Sequence, residues 1–152
     1  MDDFSDIDSL EECKDTLMNL LSYFFDNIIN VVKYIEKKYG EETIFYMKGS
    51  SLIALGRDIV MGMDANILIE HYKVYILPMK KEIYQKNEKF FLESNSLFFN
   101  MPNEVIVFLR KLWMRKENEG GLNKNDKCVI WDYSLKIVDV VSHYEKLQQQ
   151  NK

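Results

Sequence analysis

The feature that most constrains the fold is a long run of apolar residues at three- and four-residue steps near the start of the chain. Its members are Leu10, Cys13, Leu17, Leu20, Leu21, Phe24, Ile28, Val31, Val32 and Ile35. This period predicts an amphipathic helix of about eight turns, which must bury one long face against other elements. Ser9 followed by Glu12 predicts a capping box at its start, and Gly40 predicts its end.

Helical spacing recurs through the rest of the chain, whereas alternating strand patterns are short and lack hairpin turns. Residues 41–62 predict a helix or a helix pair interrupted near Gly49. A further helix follows Asp64 and carries Pro78, which should kink or restart it. Its apolar face is expected to consist of Ile67, Leu68, Tyr72, Tyr75, Ile76, Met79 and Ile83. A last helix is predicted over residues 126–147.

These segments predict an all-α fold, a single globule of about five to seven helices with a long N-terminal helix and a Pro-kinked central helix. The chain has 152 residues, which suits one domain, so residues 1–152 are expected to form it. About 1–8 and 148–152 are expected to be flexible. The first helix is expected to pack against the Pro78 helix and the last helix.

The composition of the chain limits which classes of function and which cellular compartment are expected. The formal net charge of −4 argues against a dedicated nucleic-acid binder. Cys13 and Cys128 lie far apart in apolar patterns, so we expect reduced, buried thiols in a reducing intracellular compartment. The acidic N-terminus lacks the apolar core of a signal peptide, and no apolar run approaches the ~18 residues that span a bilayer. Membrane insertion is therefore not expected.

No motif in the chain predicts a reaction centre. His71 and His143 each lack a second metal ligand at helical spacing. The segments Gly56-Arg57-Asp58 and Lys48-Gly49-Ser50-Ser51 lack the spacing that aims backbone amides at a phosphate. We therefore predict a protein without catalytic residues, bound metal or cofactor, which is not an enzyme.

One basic cluster offers an alternative to protein binding. Arg110, Lys111, Arg115 and Lys116 fall on one short predicted helix together with Trp113. Cations there could hold phosphates while an aromatic ring stacks on a base, although Trp113 also belongs to the apolar stripe. These four residues are the candidate site of a nucleic-acid-processing accessory factor or of an enzyme subunit.

Aromatic residues in the second half of the chain are the candidate contacts for a protein partner. We predict that Phe90, Phe98, Trp131 and Tyr133 contribute to such a surface, since exposed aromatic rings are frequent anchors in interfaces. Phe91 is expected in the core, and the position of Phe90 is left open between core and surface.

The order of motifs in the C-terminal part of the chain resembles small uncharacterised proteins of nucleocytoplasmic large DNA viruses of the giant and algal type. The segments that carry the resemblance are Tyr75-Ile76-Leu77-Pro78-Met79-Lys80, Asn87-Glu88-Lys89-Phe90-Phe91-Leu92, Leu109 with Leu112-Trp113, and Ile130-Trp131-Asp132-Tyr133. The chain departs from the pattern at Asn87, where the family has Asp, and at Met79, where it has an aromatic residue. The resemblance implies a viral origin and a helical fold, and it brings no catalytic residues.

Together these observations predict a non-enzymatic viral accessory protein that binds another protein, as a host-interaction factor or as a component of the virion or its assembly. It would act in the host cytoplasm or the virion. The alternative is the nucleic-acid factor or enzyme subunit described above. A third idea is a helical inhibitor of host cell death of the Bcl-2 type, for which Gly56-Arg57 is the only hint. The partner's identity and self-association are left open.

Overall fold

The computed structural model describes residues 4–44, 46–94 and 101–150. Over these ranges the chain forms seven α-helices, two 3-10 turns and one hairpin of two-residue strands. The elements are α1 (Leu10–Tyr39), β1 (Thr43–Ile44), β2 (Met47–Lys48), α2 (Gly49–Met61), α3 (Ala65–Tyr75), α4 (Lys80–Tyr84), α5 (Lys89–Glu93), α6 (Asn103–Met114) and α7 (Lys124–Gln150). The predicted all-α class is confirmed.

The predicted limits of α1 are confirmed. The Ser9 side chain accepts a hydrogen bond from the Glu12 backbone N–H at 3.1 Å, which satisfies one of the unpaired donors of the first turn. Gly40 ends the helix with a φ of +98°, a conformation that costs little only for glycine. Lys37 and Lys38 lie in the last turn, where positive charge suits the helix dipole.

The segment between α1 and α2 differs from its prediction. In place of helix, Thr43 pairs with Lys48 and Ile44 with Met47 in an antiparallel hairpin. Helix α2 then begins at Gly49, where a Cβ atom would lie 2.4 Å from the Phe108 ring. A larger residue would force the Phe108 ring to move, so glycine allows this close approach of α2 to α6.

Pro78 was predicted to kink or restart its helix, and the structure shows a restart. Helix α3 ends at Tyr75, Pro78 lies in the 3-10 turn Leu77–Met79, and α4 follows directly. Because proline has no backbone N–H, it is tolerated in the first turn of the new segment.

The core lies between the two longest helices. The buried face of α1 packs against α7 and α2, and α3 packs against both α1 and α7. The side chains of α1 that form this face are Cys13, Leu17, Leu20, Leu21, Phe24, Phe25, Ile28, Val32 and Ile35. Within the described ranges, no helix is both long enough and apolar enough to cross a membrane.

Over the residues described, both ends of the chain contact the rest of the fold. Phe4 and Ile7 pack against the core, and Nε2 of His143 lies 2.6 Å from the carbonyl oxygen of Ile7. Helix α7 continues to Gln150, and the Gln148 side-chain amide donates to a carboxylate oxygen of Glu70 at 2.9 Å.

The two cysteines differ in exposure, although both were predicted to be buried. Both are free thiols, and Cys13 is fully buried. Burial, followed by the charge of Glu12, raises the pKa of the Cys13 thiol. The prediction is wrong for Cys128, which is exposed because it lies on the outer side of α7.

Candidate functional site

Four aromatic side chains from α5, α6 and α7 form a buried cluster. Phe91 lies at its centre, with its ring centroid 5.2 Å from that of Phe90, 4.7 Å from Trp113 and 4.5 Å from Trp131. The two indole rings meet edge to face at 5.8 Å. The indole N–H of Trp113 donates to a carboxylate oxygen of Glu88 at 3.2 Å, so its polar atom is satisfied. This cluster fixes the short helix α5 against α6 and α7.

Two predicted partner residues belong to this core, which corrects their assignment. Phe90 is 2% exposed and Trp131 is 5% exposed, so neither ring is available as a surface anchor. Trp131 is covered in part by Phe91, which comes from a different helix and packs against the indole ring at a tilt. Tyr133 is partly buried, with its ring 6.0 Å from that of Phe24. Phe98 lies outside the described residues. Phe91 is in the core, as predicted.

A small cavity adjoins the aromatic cluster. Its volume is about 40 Å³, whereas ligand pockets typically measure ~300–1,000 Å³. The lining is Phe24, Ile28, Phe91, Leu109, Arg110, Leu112, Trp113, Leu122 and Ile130. Arg110 is the one charged residue in this set, so the lining supplies no acid–base pair. The cavity is therefore suited in size and lining to a small apolar group.

Arg110, the first of the predicted nucleic-acid residues, binds backbone carbonyl groups at the C-terminal end of α5. Its Nε donates to the carbonyl oxygen of Phe91, and a terminal nitrogen donates to that of Ser94, each at 3.1 Å. Phe91 lies within α5 and Ser94 directly follows it, at the end of the helix where backbone acceptors have no partner within the helix. The Arg110 side chain therefore acts as a C-terminal clamp on α5.

Lys111 and Arg115 share one carboxylate at the base of the hairpin. Both form ion pairs with Glu42, and the Arg115 pair is 2.9 Å long. Partial burial raises the pKa of Glu42, but the hydrogen bonds and charges of Lys111 and Arg115 outweigh it and leave the pKa lowered. The arrangement ties the hairpin to α6. Lys116 follows the helix and is exposed.

The Glu42 ion pairs should make part of the stability depend on pH. Because the folded-state pKa of Glu42 is lowered, its contribution is present above the unfolded-state pKa and is lost as the pH falls through the folded-state value. We expect Glu42→Gln to reduce the free energy of unfolding by about 1 kcal/mol near neutral pH, with the difference vanishing in acid. Urea unfolding at a series of pH values measures this.

The neighbouring Glu41→Gln variant is the matched control, since Glu41 is exposed and the chemical change is the same. It should leave both the stability and its pH dependence close to those of the parent. Equal pH dependence in the parent and in Glu42→Gln would contradict the structural role given to this ion pair.

Helix α3 exposes an apolar surface that the sequence analysis assigned differently. Ile67, Val74 and Tyr75 are 58%, 55% and 54% exposed, although Ile67 and Tyr75 were predicted to lie on the core face. His71 lies between them, its ring 4.7 Å from that of Tyr75. These four residues follow helical spacing and form one surface, which we call the α3 outer face.

The opposite side of α3 forms the actual core face. Leu68, Ile69 and Tyr72 are buried there, as is Ile76 at the helix end. One flank of the helix is fixed to α7, since the Tyr144 hydroxyl donates to Glu70 at 2.9 Å. Helix α3 is thus apolar on two sides, and only one of them is covered. The sequence signal for this was the spacing of Ile67, His71 and Val74 at steps of four and three, with Tyr75 next to Val74.

Among residues 4–44, 46–94 and 101–150, no group of three or more His, Cys, Asp or Glu side chains is placed to hold a metal ion. Comparisons of the chain with protein-family models, curated proteins and solved structures found no significant match.

Proposed function

We propose that this protein is a non-enzymatic binding protein whose α3 outer face contacts a protein partner. The observation that carries the proposal is the exposure of Ile67, Val74 and Tyr75 on a helix whose other side is already buried. Contiguous exposed apolar side chains of this kind often mark a site where another protein binds. Burying a half-exposed aliphatic or aromatic side chain in an interface contributes about 1–2 kcal/mol.

The biological context of this proposal, a role during viral infection, rests on the sequence alone. The resemblance of the C-terminal part of the chain to small helical proteins of large DNA viruses supports an accessory role during infection. The partner would then be a host protein or a virion component, in the host cytoplasm or the virion. A second copy of the chain is a further partner that the same surface would accept.

The alternatives from the sequence have less structural support. Three of the four basic residues proposed for nucleic acid have internal partners, namely two carbonyl groups for Arg110 and the Glu42 carboxylate for Lys111 and Arg115. Gly56, the hint of a Bcl-2 type inhibitor, has a packing explanation. A Cβ atom there would lie 3.0 Å from a methyl group of Val105 on α6.

The experiment compares the parent with an Ile67→Glu/Val74→Glu double variant. Tagged proteins are expressed in cells, crosslinked, captured and quantified by mass spectrometry, with the solution mass of each purified protein measured in parallel. We expect the double variant to lose its main partner, or its self-association, by about tenfold or more, since two apolar contacts become buried charges. Its melting temperature should match the parent's because both side chains are exposed.

Tyr23→Glu/Tyr34→Glu is the matched control. These two tyrosines are 61% and 62% exposed on α1, a different helix from the one that carries the α3 outer face, and they receive the same charge change. The control should retain the partner. Identical partner sets and solution masses for the parent and the Ile67→Glu/Val74→Glu variant would contradict the proposed surface.

A further inference from the structure

The α3 outer face continues beyond both ends of the helix as one stripe at alternating steps of three and four residues. Its members are Asp64, Ile67, His71, Val74, Pro78 and Lys81, which we call the α3 seam. Asp64 caps the start of α3, Pro78 lies in the 3-10 turn after the helix, and Lys81 lies in α4. Such steps are typical of the side of a helix that packs along a second helix. Ile76 and Ile83 are buried on the other side of this segment, so the α3 seam lies on its solvent side.

The two ends of the α3 seam carry opposite charges. Oδ1 of Asp64 accepts a hydrogen bond from the Asn66 backbone N–H at 2.7 Å, and the residue is otherwise exposed to solvent. Within the part of the chain that the structure describes, Lys81 is exposed and forms no ion pair. Between these ends the seam has no Asp, Glu, Lys or Arg side chain. The seam is therefore negative at its N-terminal end and positive at its C-terminal end.

A surface with this charge pattern is complementary to a second copy of itself turned end for end. In an antiparallel pair, Asp64 of each copy lies beside Lys81 of the other, so the favourable contact forms at both ends. Ile67 then faces Pro78, because the steps of the seam read the same from either direction. Two-fold symmetry of this kind is the commonest arrangement of homo-oligomers. A parallel pair would instead place like charges together, so the charges favour the antiparallel arrangement.

We infer, resting on the proposed function, that the partner of the α3 outer face is a second copy of this chain, bound antiparallel through the α3 seam. Ile67, Val74 and Tyr75, each more than half exposed in the single chain, supply the apolar contact. The segment from Ala65 to Tyr84 is about 30 Å long and about 10 Å wide as a helix. A contact of that size is smaller than the ~800 Å² per partner of a standard interface, so we expect a weak dimer with a Kd of about 10–100 µM.

The test measures the mass of the purified full chain by sedimentation velocity at concentrations from about 1 to about 500 µM, a range that brackets the expected Kd. The mass should rise from that of one chain towards that of two. Lys81→Glu and Ile67→Glu/Val74→Glu should each weaken the dimer by about tenfold or more, since the first places like charges together at both ends and the second buries charges at the centre. Lys33→Glu is the matched control, because Lys33 is exposed on α1 and receives the same charge change. It should keep the Kd of the parent.

The Asp64→Lys/Lys81→Glu variant exchanges the two charges and tests the orientation. Opposite charges meet again in an antiparallel pair, so the Kd should return to within about threefold of the parent's. In a parallel pair the exchange would leave like charges together and would restore nothing. The variant loses the cap of α3, so far-UV circular dichroism checks that the helix is retained. Its packing through Leu68, Ile69 and Tyr72 is unchanged.

Three results would overturn the inference. They are a parent that stays monomeric over the whole range, a dimer that Lys81→Glu leaves unchanged, and a folded Asp64→Lys/Lys81→Glu protein that does not regain the dimer. A monomeric parent whose Ile67→Glu/Val74→Glu variant loses a captured cellular protein would leave the proposed function standing and exclude only the second copy as its partner. A dimer that persists in Ile67→Glu/Val74→Glu would contradict the α3 outer face as the site of self-association.

Discussion

Replacing Phe91 by alanine is expected to lower the free energy of unfolding by about 3–5 kcal/mol, the range typical of buried phenylalanines. The ring is in contact with Phe90, Trp113 and Trp131 and also lines the small cavity beside the cluster. Its removal would enlarge a space that already exists and would take away the centre of the cluster. Urea unfolding followed by far-UV circular dichroism measures the change.

The loss would be a large share of the roughly 5–15 kcal/mol that stabilises a typical domain. Tyr23→Ala is the control, because this tyrosine is 61% exposed on α1 and its removal should change stability by no more than about 0.5 kcal/mol. A Phe91→Ala protein as stable as the parent would show that the aromatic cluster does not hold α5 in place.

Gly121→Ala is expected to be the most damaging change in the connection between α6 and α7. An added Cβ atom would lie 2.0 Å from the carbonyl oxygen of Arg115 and 2.9 Å from that of Lys116. Both neighbours are backbone atoms, so no side chain can move aside and the loop itself must shift. The shift would break the hydrogen bond from the Gly121 N–H to the Lys116 oxygen, now 2.9 Å long. We expect a loss of about 1–3 kcal/mol, measured by thermal and urea unfolding.

Gly62→Ala provides the comparison. Gly62 follows α2 with a φ of −85°, which alanine adopts without strain, and its nearest contact to an added Cβ would be 3.2 Å. The free energy of unfolding of the Gly62→Ala variant should stay within about 1 kcal/mol of the parent's. Equal stabilities for the two alanine variants would mean that the loop after α6 accommodates a side chain by a small adjustment, contrary to our expectation.

The helical parts of this fold are predictable because their signals are local. Ser9 and Gly40 mark the ends of α1 through capping geometry that depends on adjacent residues only. Pro78 marks the break after α3 for an equally local reason. The hairpin at Thr43–Lys48 gives no such signal, since two-residue strands are too short to show alternation. Its turn residue Tyr46 has a φ of +65°, where asparagine or glycine is usual.

The candidate surfaces were harder to predict because exposure is decided by elements distant in sequence. Trp131 was expected at a surface, but the position of Phe91 in another helix covers it. Ile67 and Tyr75 were expected in the core, because a helix with two apolar sides gives no periodic signal for which side faces inward. The pairing of Glu42 with Lys111 and Arg115 joins residues far apart in the chain, and no sequence motif predicts it.

The packing of α1 against α7 also sets the order in which the chain can fold during translation. Helix α1 leaves the ribosome before the other helices described, but α7, which covers much of its apolar face, is synthesised only after α2 to α6. Contacts between such distant segments form late and slow folding. Until α7 emerges, the nascent chain exposes part of the row from Cys13 to Ile35, with only α2 and α3 available to shield it. A stall before Lys124 would therefore leave an aggregation-prone intermediate for chaperones to hold.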